Sequence, residues 1–173
     1  MIIHNAISEE TAENAWKSLE RQVANRHAAE SELSPATKLN DKPFVILNDT
    51  EEVSAACEEF AKTLQARPLA DLLGISEDDV RRRLKRGKSV HFLPIAGEPV
   101  TWIHSAPGRI VGTLAFSVLR NSPVMRHSEA THVQLEPGQV MFYDGDEPIN
   151  WQGTQDGFGL MMWCSKSLSF GAK

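Results

Sequence analysis

Much that usually reveals a protein's business is scarce in this chain of 173 residues. There are only two cysteines, Cys57 and Cys164, and only one tyrosine. A pair of thiols so far apart is no disulfide framework, and the expectation is reduced cysteines in a cytoplasmic protein. No apolar run approaches the ~18 residues that a membrane span needs, and Met1-Ile-Ile-His has no basic start of the kind that opens a secretory signal. A net charge of −5 gives no global basic field to draw the chain to nucleic acid or an anionic membrane. No Cys-x-x-Cys pair, phosphate-cradling glycine loop or nucleophile elbow is present. The bulk composition, 41% hydrophobic and 24% charged, is that of an ordinary globular domain. Its length is enough for a single core over 1–173.

The first half reads as helical support with strands at its ends. Met1 to Asn5 is a short strand. Ser8-Glu-Glu-Thr then opens a helix: the serine caps free N–H groups and the two acids suit the positive end of the helix dipole. Ala12, Ala15, Trp16, Leu19 and Val23 recur at helical spacing and form its buried stripe. From about Arg26 to Lys42 the chain is polar, contains Pro35 and has no period, which predicts a long loop. Pro43 to Leu47 is a strand, and Asn48-Asp-Thr caps a second helix with Val53, Ala56, Cys57, Phe60, Ala61 and Leu64 on its buried face.

Leu69 to Gly87 has the spacing of a helix-turn-helix. A first helix ends at Gly74, Ile75 packs the turn, and Ser76 caps a second helix with Val80 and Leu84 facing inward. Arg81, Arg82, Arg83, Lys85 and Arg86 would be the reading surface. Glu77, Asp78 and Asp79 stand in the turn that would approach DNA, where acids repel phosphates. A tight helical pair bracing the rest of the fold is the preferred reading.

The second half is a succession of short β-rich runs: Ser89 to Ile95, Pro99 to Ser105, Arg109 to Arg120, Ala130 to Leu135, Gly138 to Tyr143, Ile149 to Gln152 and Phe158 to Cys164. Turn chemistry separates them at Gly97, Pro107-Gly108, Asn121-Ser122-Pro123, Pro137-Gly138, Asp144-Gly145-Asp146 and Gln155-Asp156-Gly157. Even spacing of short strands predicts a barrel or sandwich. The predicted class is α+β, with a jelly-roll core over 89–173 braced by helices and edge strands of 1–88.

From Lys88 onward the order of features resembles the 2-oxoglutarate and iron(II) dioxygenases of the prolyl 4-hydroxylase type, whose core is a double-stranded β-helix. The stretch from Ser89 through Gly97 and Trp102-Ile-His to Ala106 is similar to that family's strand, glycine turn, strand and first metal histidine. Gly112 to Leu119, Pro137 to Asp144 and Phe158 to Trp163 are similar to the strands that follow. The resemblance implies iron(II) and 2-oxoglutarate as cofactors, held by a histidine, a carboxylate two residues later, a distal histidine and a basic anchor. His104 takes the first position. Ala106 stands at the carboxylate position, the distal histidine falls near Glu147, Pro148 or Asn150, and Gly157 to Leu160 contains no Lys or Arg. One of the four functional positions is retained.

Three readings follow. His104 is a barrel histidine bonded within a degenerate pocket. Alternatively it joins Glu147 or Asp146 in a rewired metal site, helped by His91, His127 or His132. Alanine at the carboxylate position also occurs in iron halogenases of the wider superfamily, which keep the distal histidine and the oxoglutarate anchor. In the third reading the barrel mouth binds a small organic molecule or does metal-free chemistry on it. There His104 and Glu147 are the acid–base pair, and Arg109, Trp102, Asn150, Trp151 and Tyr143 contact the substrate. The expected partner is therefore a small-molecule ligand or substrate, without membrane or nucleic acid, and a homo-oligomer stays open. A non-catalytic pseudoenzyme or interaction subunit is the alternative function, and a DNA-binding regulator acting through 69–87 ranks last.

Overall fold

The computed structural model describes residues 2–30, 44–92, 102–104, 107–123, 133–146, 149–151 and 157–166. Ten strands and four helices occur among them, in the order β1 (Ile2–Asn5), α1 (Glu9–Glu30), β2 (Phe44–Leu47), α2 (Glu51–Thr63), α3 (Arg67–Leu73), α4 (Glu77–Arg83), β3 (Lys85–Phe92), β4 (Trp102–His104), β5 (Arg109–Ala115), β6 (Leu119–Pro123), β7 (Val133–Leu135), β8 (Gln139–Asp144), β9 (Ile149–Trp151) and β10 (Gly157–Ser165). The strands form two sheets, one of six ordered β1-β8-β5-β10-β3-β2 and one of four ordered β4-β9-β6-β7. Every pairing is antiparallel. This is the predicted α+β jelly roll, with β1 and β2 from the helical half closing both edges of the larger sheet.

Strand alternation divides the larger sheet into two buried faces. On the outer face Ile110, Leu114, Val140, Phe142, Phe158, Leu160, Met162 and Cys164 pack with Ala12, Ala15, Leu19, Val53, Ala56 and Phe60 of α1 and α2. On the inner face Val90, Val111, Ala115, Met141 and Tyr143 pack with Leu119, Val133 and Leu135 from the smaller sheet. A strand buried on both sides needs no polar alternation, and β5 reads Ile-Val-Gly-Thr-Leu-Ala, buried throughout after Arg109.

Local chemistry fixes the helices. Ser8 Oγ accepts from the Thr11 N–H at 3.2 Å, and Glu59 of α2 accepts from the Ser8 N–H at 2.6 Å and from the Thr11 hydroxyl. That carboxylate clamps the start of α1 onto α2, and the Thr11 and Ser8 hydrogen bonds hold its pKa below the usual range. Thr50 caps α2 by accepting from the Val53 N–H. Gly74 ends α3 in the left-handed region at φ 64°, and Ser76 caps α4 by accepting from the Asp79 N–H.

Four expectations are corrected. First, α1 continues to Glu30 instead of giving way to a loop at Arg26: nothing in Asn-Arg-His-Ala-Ala-Glu breaks a helix, and alanine favours one. The remainder of the expected loop lies outside the described residues. Second, the expected strand Arg109 to Arg120 is two. At Phe116–Val118 the chain leaves one sheet for the other, where Phe116 N–H and Ser117 N–H both donate to the Phe158 carbonyl and Ser117 Oγ accepts from the Phe158 N–H. Third, Asn121-Ser122-Pro123, expected as a break, belongs to β6. Fourth, the first jelly-roll strand starts at Lys85, so Lys85 and Arg86 are strand residues and not part of a recognition helix. Both cysteines are free thiols, and no helix among the described residues is long and apolar enough to cross a membrane.

Candidate functional site

Of the residues singled out in the sequence, four stand in one ladder. β4 pairs with β9 so that Trp102 opposes Trp151, Ile103 opposes Asn150 and His104 opposes Ile149. β9 in turn pairs with β6 through Asn150–Ser122 and Ile149–Pro123. The register thus brings positions 102, 104, 150 and 151, separated by nearly fifty residues of chain, to one end of the smaller sheet. Glu147, His127 and His132 lie outside the described residues, as does Ala106.

The inner face of the larger sheet packs against β6 and β7 of the smaller one. Arg109, Val111, Thr113 and Ala115 of β5 alternate onto the inner face, beside Met141 and Tyr143 of β8 and Met161 and Trp163 of β10, with Thr113 opposite both Met141 and Met161. Arg109 is exposed at the end of this face and lies over the Trp163 ring. Tyr143 is buried, and burial pushes its phenol above the ordinary value of 10. It therefore stays neutral through the physiological range. Thr113 has zero exposure, and its hydroxyl has no hydrogen-bond partner among the described residues. An unmet hydroxyl in an apolar interior costs about 1–3 kcal/mol, so this one marks a place where a polar partner would be stabilising. Sequence reading passed over Thr113, because a threonine in an apolar strand looks like ordinary β-propensity.

Two members of the rewired metal reading are committed elsewhere. His91 stacks on Phe158 with ring centroids 4.5 Å apart and an interplanar angle of 3°; Phe158 belongs to the outer, helix-facing core. The two-residue alternation that left its direction open in the sequence sends it away from the barrel interior. Asp146 accepts from the Gly108 N–H at 2.8 Å and from Lys166 Nζ at 2.6 Å, and Lys166 also pairs with Asp144. These bonds staple the β8 end to the β10 end and hold the Asp146 carboxyl below its usual range. Among the described residues no three His, Cys, Asp or Glu side chains form a group able to hold a metal ion. Ala106 has no donor atom, and β10 carries no cation along Gly157–Ser165. The described residues do not by themselves supply the standard iron and oxoglutarate centre.

The fold is a jelly roll of the kind also seen in non-heme oxygenases of known structure. The chain is similar to a Pseudomonas putida prolyl-4-hydroxylase at 11% identity, covering 96% of this chain and 92% of that one, with a TM-score of 0.51. It is similar to AviO1 from Streptomyces viridochromogenes at 8% identity, covering 97% and 89%, with a TM-score of 0.55. It is also similar to the non-heme monooxygenase ThoJ, seen as a nickel complex, at 13% identity, covering 95% and 73%, with a TM-score of 0.54. At such identities the likeness is one of fold. No family model matches the chain, and no curated protein does.

Proposed function

We propose that this protein is an oxygenase-like jelly roll that binds, and acts on, a small organic molecule in the barrel mouth without the standard iron and oxoglutarate apparatus. The observation that carries the reading is the β4–β9 ladder, which assembles positions 102, 104, 150 and 151 at one end of the smaller sheet. The inner face of β5, β8 and β10 supplies apolar walls, and the Thr113 hydroxyl supplies a donor in want of a partner. A barrel mouth that is mostly apolar with few polar groups suits a small organic ligand, whose orientation those groups fix.

His104 and Glu147 are the proposed acid–base pair, since an imidazole beside a carboxylate relays a proton near neutral pH. Arg109 would neutralise an anionic group at the mouth, Tyr143 would donate from a neutral phenol, and Trp102, Trp151 and Asn150 would hold the body of the substrate. The two-ligand metal site, His104 with Glu147, is a weaker form of the same proposal because two protein ligands hold a divalent ion poorly. The test is a ligand and turnover screen of the wild-type chain against His104→Ala and Glu147→Ala. A pocket enzyme loses turnover in both variants while still folding. Unchanged activity in both would instead mark a non-catalytic scaffold, the alternative function.

A further inference from the structure

The second helix should have buried Cys57 and Ala61 with the rest of its apolar stripe, yet Cys57 is only half-buried and Ala61 is exposed. The reason is a cavity of about 200 Å³ on the outer side of the larger sheet, bounded by Cys57, Phe60, Ala61 and Leu64 of the α2 segment, Arg81 and Leu84 of the α4 segment, Arg86 of β3, and Leu160 and Met162 of β10. Six of these residues are plainly hydrophobic and two are arginines. It is separated from the barrel mouth by the sheet itself.

The backbone is arranged to deliver one of those arginines. In a regular strand Arg86 would share the inner face with Val90. Instead the β3–β10 register shifts between Leu160 and Met162: Leu160 opposes Ser89, but Met162 opposes Arg86. The extra residue turns Arg86 to the outer face, beside Met162. Gly87 makes this bulge feasible, because a Cβ there would stand 1.9 Å from the Met161 carbonyl oxygen. Bulges of this kind re-aim side chains. Arg86 pairs with Asp49 at 3.1 Å, both groups remaining about two-fifths exposed. The Arg81 guanidinium donates to the Leu64 carbonyl at 3.0 Å. That acceptor is neutral, and Arg81, an exposed residue, makes no ion pair among the described residues.

We propose that this cavity is a second binding site, for a small organic carboxylate with an apolar body. The volume sets the size: a cavity of about 150 Å³ holds a benzene molecule, so this one takes an aromatic acid or a medium-chain fatty acid. The six hydrophobic residues take the body. Arg81 and Arg86 take the carboxylate, which guanidinium forks recognise well. An inorganic anion would leave the apolar lining unused, and an uncharged hydrocarbon would leave the two guanidinium groups unused.

Isothermal titration of the full chain with benzoate and octanoate tests the proposal, with benzamide as the uncharged control. Alkylation of Cys57 under native conditions is the local readout, since Cys164 is fully buried. The expected result is saturable binding of one acid per chain that slows Cys57 alkylation at least about tenfold, with benzamide weaker by at least about tenfold. Arg86→Gln should weaken binding by about tenfold or more, and Ala61→Trp, a substitution at an exposed position, should abolish it by filling the entrance. His104→Ala should leave it unchanged, which separates this site from the barrel mouth. Absence of binding and of protection by both acids overturns the proposal. So does benzamide binding as tightly as benzoate, or binding that is lost in His104→Ala and kept in Ala61→Trp.

Discussion

The guanidinium carbon of Arg109 lies 5.7 Å from the centroid of the Trp163 ring, one step along the ladder in which Arg109 opposes Ser165 and Val111 opposes Trp163. The pair closes the end of the inner face. At an exposed site such a contact contributes about 0.5–1 kcal/mol. A double-mutant cycle of Arg109→Ala and Trp163→Leu, followed by urea unfolding, should return a coupling energy in that range. Strict additivity would mean that the two side chains do not interact in solution.

Gly87→Ala should be among the most damaging single-methyl additions in the chain. The added carbon meets a backbone carbonyl and the Trp163 ring, not the pliable end of a side chain. Relief requires the bulge to move, so a loss of about 2–3 kcal/mol is expected. A denaturant midpoint unchanged from wild type would show that β3 and β10 pair in another register.

Thr113→Val removes the orphan hydroxyl and keeps the branched shape. Because the hydroxyl is buried without a partner among the described residues, the variant should be more stable by about 1 kcal/mol, seen as a higher melting temperature. If Thr113 serves the barrel ligand, the same variant binds that ligand more weakly, a trade that a purely structural threonine would not make.

His4 gives the fold a pH dependence. Its ring packs against Phe142, both nitrogens are buried without partners among the described residues, and burial lowers its pKa below the usual 6.5. Between the lowered folded value and 6.5 the unfolded chain binds more protons than the folded one, so stability falls as pH drops through this window and levels off below it. His4→Phe should flatten that slope in melting curves taken from pH 7 to 5. An unaltered slope would place the titrating group elsewhere.

The strands of the second half were legible because each alternation or apolar run is bounded by its own turn residues; Gly138, at φ 86° with its carbonyl accepting from Ala6 N–H and Ile7 N–H, is such a turn. What sequence could not reveal were events whose partner is far away. The corner at Phe116–Ser117 depends on the Phe158 backbone forty residues on. The direction of His91 depends on which side of β10 it meets, and the reversal of Arg86 depends on a shift against Leu160 and Met162. The cavity beside Cys57 had no signal at all, since a helix stripe shows which residues are apolar and not whether they are covered. The strand placement of His104, Trp102, Asn150 and Trp151 was legible because each lies within an expected run, Pro99 to Ser105 or Ile149 to Gln152. The candidacy of Thr113 was not, because only its surroundings make its hydroxyl unusual.

The account rests on a jelly roll that works without the iron and oxoglutarate machinery its fold would suggest. Metal analysis of the purified chain, followed by titration with iron(II) and 2-oxoglutarate while succinate release is measured, tests this most directly. The account predicts substoichiometric iron and no 2-oxoglutarate consumption above a protein-free control. Stoichiometric iron together with 2-oxoglutarate turnover would contradict it.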